Sequence, residues 1–246
     1  MNYAIIFAGG VGRRMNNGSL PKQFLEVHGK PIIIYTLEKF DRNPLIDGVV
    51  VICVAGWEDY LQEKINLFGL NKICKILTGG KTAVKSQFIG IDYVKTNLVN
   101  DSDTVVLLHD GVRPLIDQKT IDANIKTVQL NGSAITTVPA IETIGISSES
   151  GDLERFVDRS KCVMARAPQS YHLDDVYTVH LKAQLEQKSD LFVDSATMMQ
   201  YYGFALHTVE GNTENIKVTT QTDFYLFRAI LDAREEQQMF GGNQSE

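Results

Sequence analysis

Hydrophobic positions along the chain alternate between two textures. Continuous apolar runs occur at Tyr3–Ala8, in "DGVVVICVAG" from Asp47, in "KICKILTGG" from Lys72 and in "SDTVVLLHDGVRP" from Ser102. They are short, rich in β-branched residues and closed by glycine, as strands covered on both faces are. Between them, "KPIIIYTLEKFDR", "WEDYLQEKINLFGL" and "AVKSQFIGIDYVKTNL" carry apolar residues at helical spacing. Pro31 stands near the first turn of the first, where its missing N–H costs nothing, and Gly69 closes the second. A further helix is predicted over "TIDANIKTVQLNG", with Gly132 near its end. Strands alternating with helices of this length predict an α/β protein with a mostly parallel sheet flanked by helices.

The texture changes after Gly132. "SAITTVPAIETIGISSESGDLERFVDRSKCVMARAPQSY" mixes β-branched and polar residues around a turn signal at Ser148–Asp152, which predicts a strand leading into an extended hairpin. Helical character returns from Leu173 over "DDVYTVHLKAQLEQ" and is followed by "SATMMQYYG", a strand at "ALHTVEG" and a closing helix over "QTDFYLFRAILDAREEQQ"; residues 241–246 read as a frayed tail. No repeat or low-complexity stretch interrupts the chain, so residues 1–240 are expected to form a single domain.

Composition narrows the function. The chain has 246 residues, of which 43% are hydrophobic and 22% charged, ordinary for a soluble globular protein. A net charge of −6 argues against nucleic acid as partner, since phosphate neutralisation wants a basic footprint. Any anion site must therefore be local. Cys53, Cys74 and Cys162 show no C-x-x-C spacing, which suggests neither a disulfide framework nor a zinc site and fits a reducing cytoplasm. The apolar start is too short for a signal peptide or a membrane span, so no membrane association is expected.

In open parallel sheets, ligands lie beyond the carboxyl ends of the strands. The positions to read are therefore Gly9–Arg14, Gly79–Ser86, His109–Arg113 and Asn212–Lys217. In "FAGGVGRRM" a dinucleotide fingerprint would need its third glycine where Met15 stands, and no P-loop matches. What remains is a loop whose backbone N–H groups at Gly9, Gly10 and Gly12 can wrap an oxyanion, backed by Arg13 and Arg14. The plainer reading is a turn followed by a solvated arginine pair. Local charge favours a polyanion: residues 1–40 hold five cations (Arg13, Arg14, Lys22, Lys30, Lys39) against Glu26 and Glu38. At the end of its strand, Asp110 is placed either to hold a divalent ion that bridges phosphates or to brace a turn by pairing with Arg113. The histidines lack metal spacing, His109 reads as structural, and no Ser or Cys has a nucleophile's context. A reaction whose attacking group is already a phosphate oxygen needs only charge neutralisation and alignment.

"FAGGVGRRM…PKQFLEVHGKPIIIYTLEKF", "HDGVRP", "DR" nine residues before "APQSY", and "VEGNTENIKVTT" occur in the order and spacing of cytidylyltransferases acting on polyol phosphates, a family the chain resembles from about residue 1 to 232. The resemblance implies a Rossmann-like nucleotidyltransferase fold with a protruding β-arm, at residues 135–165, through which two subunits form a homodimer. It implies transfer of a cytidylyl group from CTP to a polyol phosphate, with Mg²⁺ or another divalent cation, giving a CDP-polyol and pyrophosphate. By the same resemblance Arg14, Lys22, Arg159 and Lys217 are catalytic. CTP would be bound by Phe7, Ala8, Gly9, Gly10, Gly12, Arg14, Lys22, Gly79, Gly80, Lys81, Ser86, Asp110 and Gly111. The polyol phosphate would be held by Asp110, Arg113, Thr143, Arg159 and Lys217, with Thr143 reaching the neighbouring subunit's site and Asp110 also contacting the metal.

Three motifs depart from the family pattern. "GGKTAVKS" offers Lys81 and Ala83 where an acidic residue and an arginine are usual, Ala167 replaces a threonine in "APQ", and Glu214 stands where aspartate is common. "AGG", "LPKQFL" and "AIETI" lean toward the ribitol 5-phosphate branch over the 2-C-methyl-D-erythritol 4-phosphate branch. Two other classes compete: a nicotinamide oxidoreductase, which would need the glycine that Met15 replaces, and a non-catalytic nucleotide-binding protein.

Overall fold

The structure is a computed structural model and describes residues 1–10, 20–99, 101 and 103–240. Its centre is a seven-stranded sheet in the order β11-β7-β10-β6-β1-β4-β5. The strands are β1 (Asn2–Ala8), β4 (Gly48–Cys53), β5 (Ile73–Thr78), β6 (Val105–Asp110), β7 (Ser133–Pro139), β10 (Val163–His172) and β11 (Thr208–Glu210). All neighbours run parallel except β10, which is antiparallel to both β6 and β7. Three of the apolar runs form the adjacent inner strands β6, β1 and β4, and every residue of β4 is buried. The fourth, expected to be covered on both faces, forms the edge strand β5, in which no residue is fully buried because no described strand pairs beyond it.

Alternation along β1 divides the core in two. Ala4 and Ile6 face one apolar cluster, filled by α1 (Ile32–Asp41), α2 (Glu58–Leu67) and α4 (Gln118–Asn131). Tyr3 and Ile5 face the other, filled by α3 (Ala83–Tyr93), α5 (Leu173–Leu185) and α6 (Ser195–Tyr201). Gly90 lets α3 lie against β1, since a Cβ there would overlap Ile5. α4 stops at Gly132, whose φ of +86° favours glycine.

A third cluster sits outside the sheet, where the closing helix α7 (Gln221–Phe240) packs Phe227 against Val27, Ile32, Val112, Leu115 and Val218. Val27 belongs to a small hairpin, β2 (Glu26–Val27) with β3 (Lys30–Pro31), that the hydrophobic pattern does not reveal. Its strands are two residues long, and its turn is made by His28 and Gly29, both at positive φ.

The extended hairpin is present and leaves the sheet altogether. Beyond Pro139 the chain forms β8 (Gly145–Ser147) and β9 (Leu153–Phe156) as a separate two-stranded ribbon, turning at residues 148–152. The chain re-enters at Val163, opposite Pro139. Ile141, Leu153, Phe156 and Val163 on this arm are 72%, 57%, 65% and 56% exposed. Helix over "AVKSQFIGIDYVKTNL" is also found, its last turn, residues 94–98, wound as a π-helix. The strand in "ALHTVEG" is shorter than predicted. Among the described residues no helix is long and apolar enough to cross a membrane.

Candidate active site

Two adjoining cavities lie at the carboxyl ends of β1 and β6. The first, of about 250 Å³, is lined by Ala8, Gly9, Gly10, Lys22, Lys81 and Ser86 among others. The second, of about 200 Å³, is lined by Gln87, Arg113, Arg166, Gln169 and Asp194. Phe7, Ala83, Asp110 and Lys217 border both.

Glycines shape the first cavity. Gly9 and Gly79 approach so closely that a Cβ on Gly79 would stand 3.4 Å from the Gly9 Cα, which draws the loops after β1 and β5 together. The Gly80 N–H donates to Ser86 Oγ at 3.1 Å, and that hydroxyl donates to the Thr82 carbonyl at 3.0 Å. The start of α3 thus lines the cavity, and a helix N-terminus favours anions. Gln23 donates to the Ala8 carbonyl at 2.6 Å, fastening the Pro21–Phe24 turn that carries Lys22 beside the β1 loop. Gly12 and Arg14 lie outside the described residues.

Asp110 is the hub between the cavities. Its Oδ1 is 2.7 Å from Lys217 Nζ and its Oδ2 is 2.8 Å from Arg113 Nε. Burial works against its ionisation, but the charges and hydrogen bonds of Lys217 and Arg113 hold the carboxyl well below the usual carboxylate range. The turn-bracing pair foreseen in "HDGVRP" therefore exists, with Lys217 as a second cation. Gly111, where the chain turns, donates its N–H to the Phe7 carbonyl at 2.8 Å. Beneath the turn His109 is fully buried, and burial pushes it down to about 4. It is a neutral core residue whose Nε2 lies 3.3 Å from the Arg113 carbonyl.

Most of the sequence-predicted residues meet here: Phe7, Ala8, Gly9, Gly10, Lys22, Gly80, Lys81, Ser86, Asp110, Arg113 and Lys217 line one cavity or the other. Gly79 and Gly111 stand directly behind the lining. Thr143 and Arg159 line neither cavity: both are exposed on the arm, where Arg159 Nη1 donates to the Ile141 carbonyl at 2.8 Å. Glu214 is paired with Arg234 of α7. Among the described residues no three His, Cys, Asp or Glu side chains gather as a metal site.

Sequence reasoning missed Arg166, Gln169 and Asp194. Asp194 caps α6 by accepting from the Thr197 N–H at 2.9 Å, and its other oxygen accepts from Gln169 Nε2 at 2.7 Å. The only available signal was an arginine set two residues before the proline of "RAPQSY", in a strand otherwise entering the core.

A mostly parallel sheet with glycine loops, a helix N-terminus and several cations converging beyond its strand ends suits an enzyme that handles nucleotide phosphates, and the family match makes that enzyme a nucleotidyltransferase. Residues 2–233 match the family described as IspD, 2-C-methyl-D-erythritol 4-phosphate cytidylyltransferase, and the chain belongs to that family. A ribitol-5-phosphate cytidylyltransferase from Streptococcus agalactiae serotype III (strain NEM316) is 48% identical over 98% of this chain and 100% of its own length. A 2-C-methyl-D-erythritol 4-phosphate cytidylyltransferase from Clostridium acetobutylicum is 35% identical over 94% of this chain and 97% of its own. The crystal structure of 4-diphosphocytidyl-2C-methyl-D-erythritol synthase from Anaerococcus prevotii shares the fold, with a TM-score of 0.80 at 22% identity, covering 94% of this chain and 98% of that one. The oxidoreductase alternative is thereby set aside.

Proposed function

We propose that the protein transfers the cytidylyl group of CTP to ribitol 5-phosphate, releasing pyrophosphate and CDP-ribitol. The observation that carries the reading is the pair of adjoining cation-lined cavities, one edged by glycine loops suited to a triphosphate, joined at Asp110 and Lys217. The choice of ribitol follows the higher identity to the ribitol enzyme than to the methylerythritol one.

The chemistry needs no general base. An oxygen of the polyol phosphate forms a bond to the α-phosphorus of CTP, the bond from that phosphorus to the bridging oxygen breaks, and pyrophosphate leaves with the electron pair. Negative charge grows on the α-phosphoryl oxygens and on the leaving group, and Lys22 on the first cavity and Lys217 on the wall between the two are placed to neutralise it. Arg14 is the third cation assigned to this role. Both oxygens of Asp110 already face cations, so its carboxylate suits at most one position of a divalent ion whose other ligands are CTP phosphates. That ion would neutralise the triphosphate. Thr143 and Arg159 join the site from a second copy, carried by the arm whose exposed apolar residues form the dimer contact. Both substrates are phosphorylated and charged, consistent with work in the cytoplasm.

Purified protein given CTP, Mg²⁺ and either polyol phosphate tests the reading by pyrophosphate release. Ribitol 5-phosphate should be preferred by at least about tenfold in kcat/KM. Preference for 2-C-methyl-D-erythritol 4-phosphate moves the protein to the other branch, and turnover of neither leaves a non-catalytic nucleotide binder. Removing the divalent ion with EDTA should abolish turnover.

A further inference from the structure

Arg166 enters the second cavity from β10, where the pairing of β10 with β7 shifts register between Ala165 and Gln169. Among the described residues only one of its guanidinium nitrogens is engaged: Nη1 donates to the carbonyls of Thr213 at 2.8 Å and Asn215 at 3.1 Å, with the Asn212 carbonyl at 3.5 Å. Among the described residues, Nε and Nη2 have no protein acceptor and no carboxylate pairs with Arg166. Its electrostatic surroundings are unfavourable to a lone cation. Burial and the neighbouring Arg113 charge both work against its protonated form, while Arg113 and Lys217 share the one carboxylate of Asp110. A half-buried guanidinium held beside a second arginine, with one two-donor edge unused, is the arrangement that receives a phosphate in bidentate fashion.

We propose that Arg166 is a binding residue for the acceptor substrate, its Nε and Nη2 donating to phosphate oxygens of the polyol phosphate in the second cavity. The inference rests on the cytidylyltransferase reading above. Arg113, Arg166 and Lys217 then form a cationic rim supplied by one chain. The carbonyl contacts of Nη1 orient this edge and fix the segment leading to Lys217. The rim collects the phosphate next to Lys217, at the boundary with the nucleotide cavity, so the nucleophile is delivered with its charge partly neutralised.

The test compares wild type with Arg166→Gln and Arg166→Lys, measuring KM for CTP and for ribitol 5-phosphate separately. Arg166→Gln should raise the acceptor KM by about 10- to 100-fold, the range for losing a charged hydrogen-bonding partner, with the CTP KM changed less than about twofold. Arg166→Lys, which keeps the charge without the fork, should fall between. An unchanged acceptor KM, or equal losses for both substrates, assigns Arg166 to holding the 212–217 segment and overturns the proposal. A second measurement needs no variant. Phenylglyoxal labelling of wild type, mapped by mass spectrometry, should show Arg166 protected by ribitol 5-phosphate and left reactive with CTP or unphosphorylated ribitol. Protection by ribitol itself, or none by its phosphate, overturns the proposal. Turnover of wild type with neither polyol phosphate would instead remove the cytidylyltransferase reading, so the two failures are distinguishable.

Discussion

Lys22 lies on the turn that Gln23 fastens to the β1 loop, so its charge is positioned by backbone shared with the glycine cradle. Lys22→Ala should lower kcat by roughly 10²- to 10³-fold, the effect of losing one preorganised oxyanion donor, while thermal unfolding stays near that of wild type. Near-normal turnover would remove Lys22 from the chemistry. A second prediction concerns acid. His109 and His180 are both buried and held near 4, below the ordinary value of about 6.5. The unfolded chain takes up protons that the folded chain refuses, so stability is full above pH 6.5 and falls as pH drops toward 4, by about 1.4 kcal/mol per unit for each group. His180 Nε2 sits 2.9 Å from Ser195 Oγ, a contact glutamine can replace. Denaturant unfolding of His180→Gln at pH 6.5 and pH 5 should show a shallower loss than wild type; equal slopes would show that His180 does not titrate between the two states. At this scale Asp110 and Lys217 were readable because they follow strands in a fold that places ligands there. Arg166, Gln169 and Asp194 were not, because their convergence depends on how β10 registers against its neighbours, which residue periodicity does not encode.

Among the elements, α7 has a role its sequence alone conceals. Its Phe227 is fully buried and meets Tyr35 edge-on, 5.4 Å between ring centroids. Through Val27, Val112 and Val218, the same cluster gathers the hairpin after Lys22, the turn carrying Arg113 and the segment carrying Lys217. Phe227→Ala should cost about 3–5 kcal/mol by denaturant titration, as other large-to-small core changes do. A loss below about 1 kcal/mol would show that α7 is only appended. The helix was legible in the sequence because its apolar positions keep a regular spacing. Its docking site was not, since the β2–β3 hairpin is too short to leave a period and turns on His-Gly, a pair without the usual Asn-Gly or Asp-Gly signal.

For the whole molecule, the α/β order of the central sheet was legible because the inner strands β1, β4 and β6 are almost continuously apolar and run into glycine within a few residues. In the function proposed above, a complete site takes two chains. Thr143 and Arg159 stand on the exposed arm, away from the cavities of their own chain. Arg159→Ala and Asp110→Asn proteins, each inactive alone, should regain activity when mixed and allowed to exchange subunits. One intact site would arise in each mixed dimer, giving about a quarter of wild-type activity at equal amounts. No recovery would place Arg159 in its own subunit's chemistry or outside the reaction. Phe156→Ser should weaken the assembly, read by sedimentation.

The arm departs from the sheet at Pro139 and rejoins it at Val163, and these two residues are partners in the β7–β10 ladder. Insertions or deletions between them leave the register of every strand in the sheet untouched, and loop closure changes only slowly with length. A change in arm length therefore costs folding little, and under the proposed assembly it would alter how two chains meet and where Thr143 and Arg159 are carried, without moving the loops that line the nucleotide cavity.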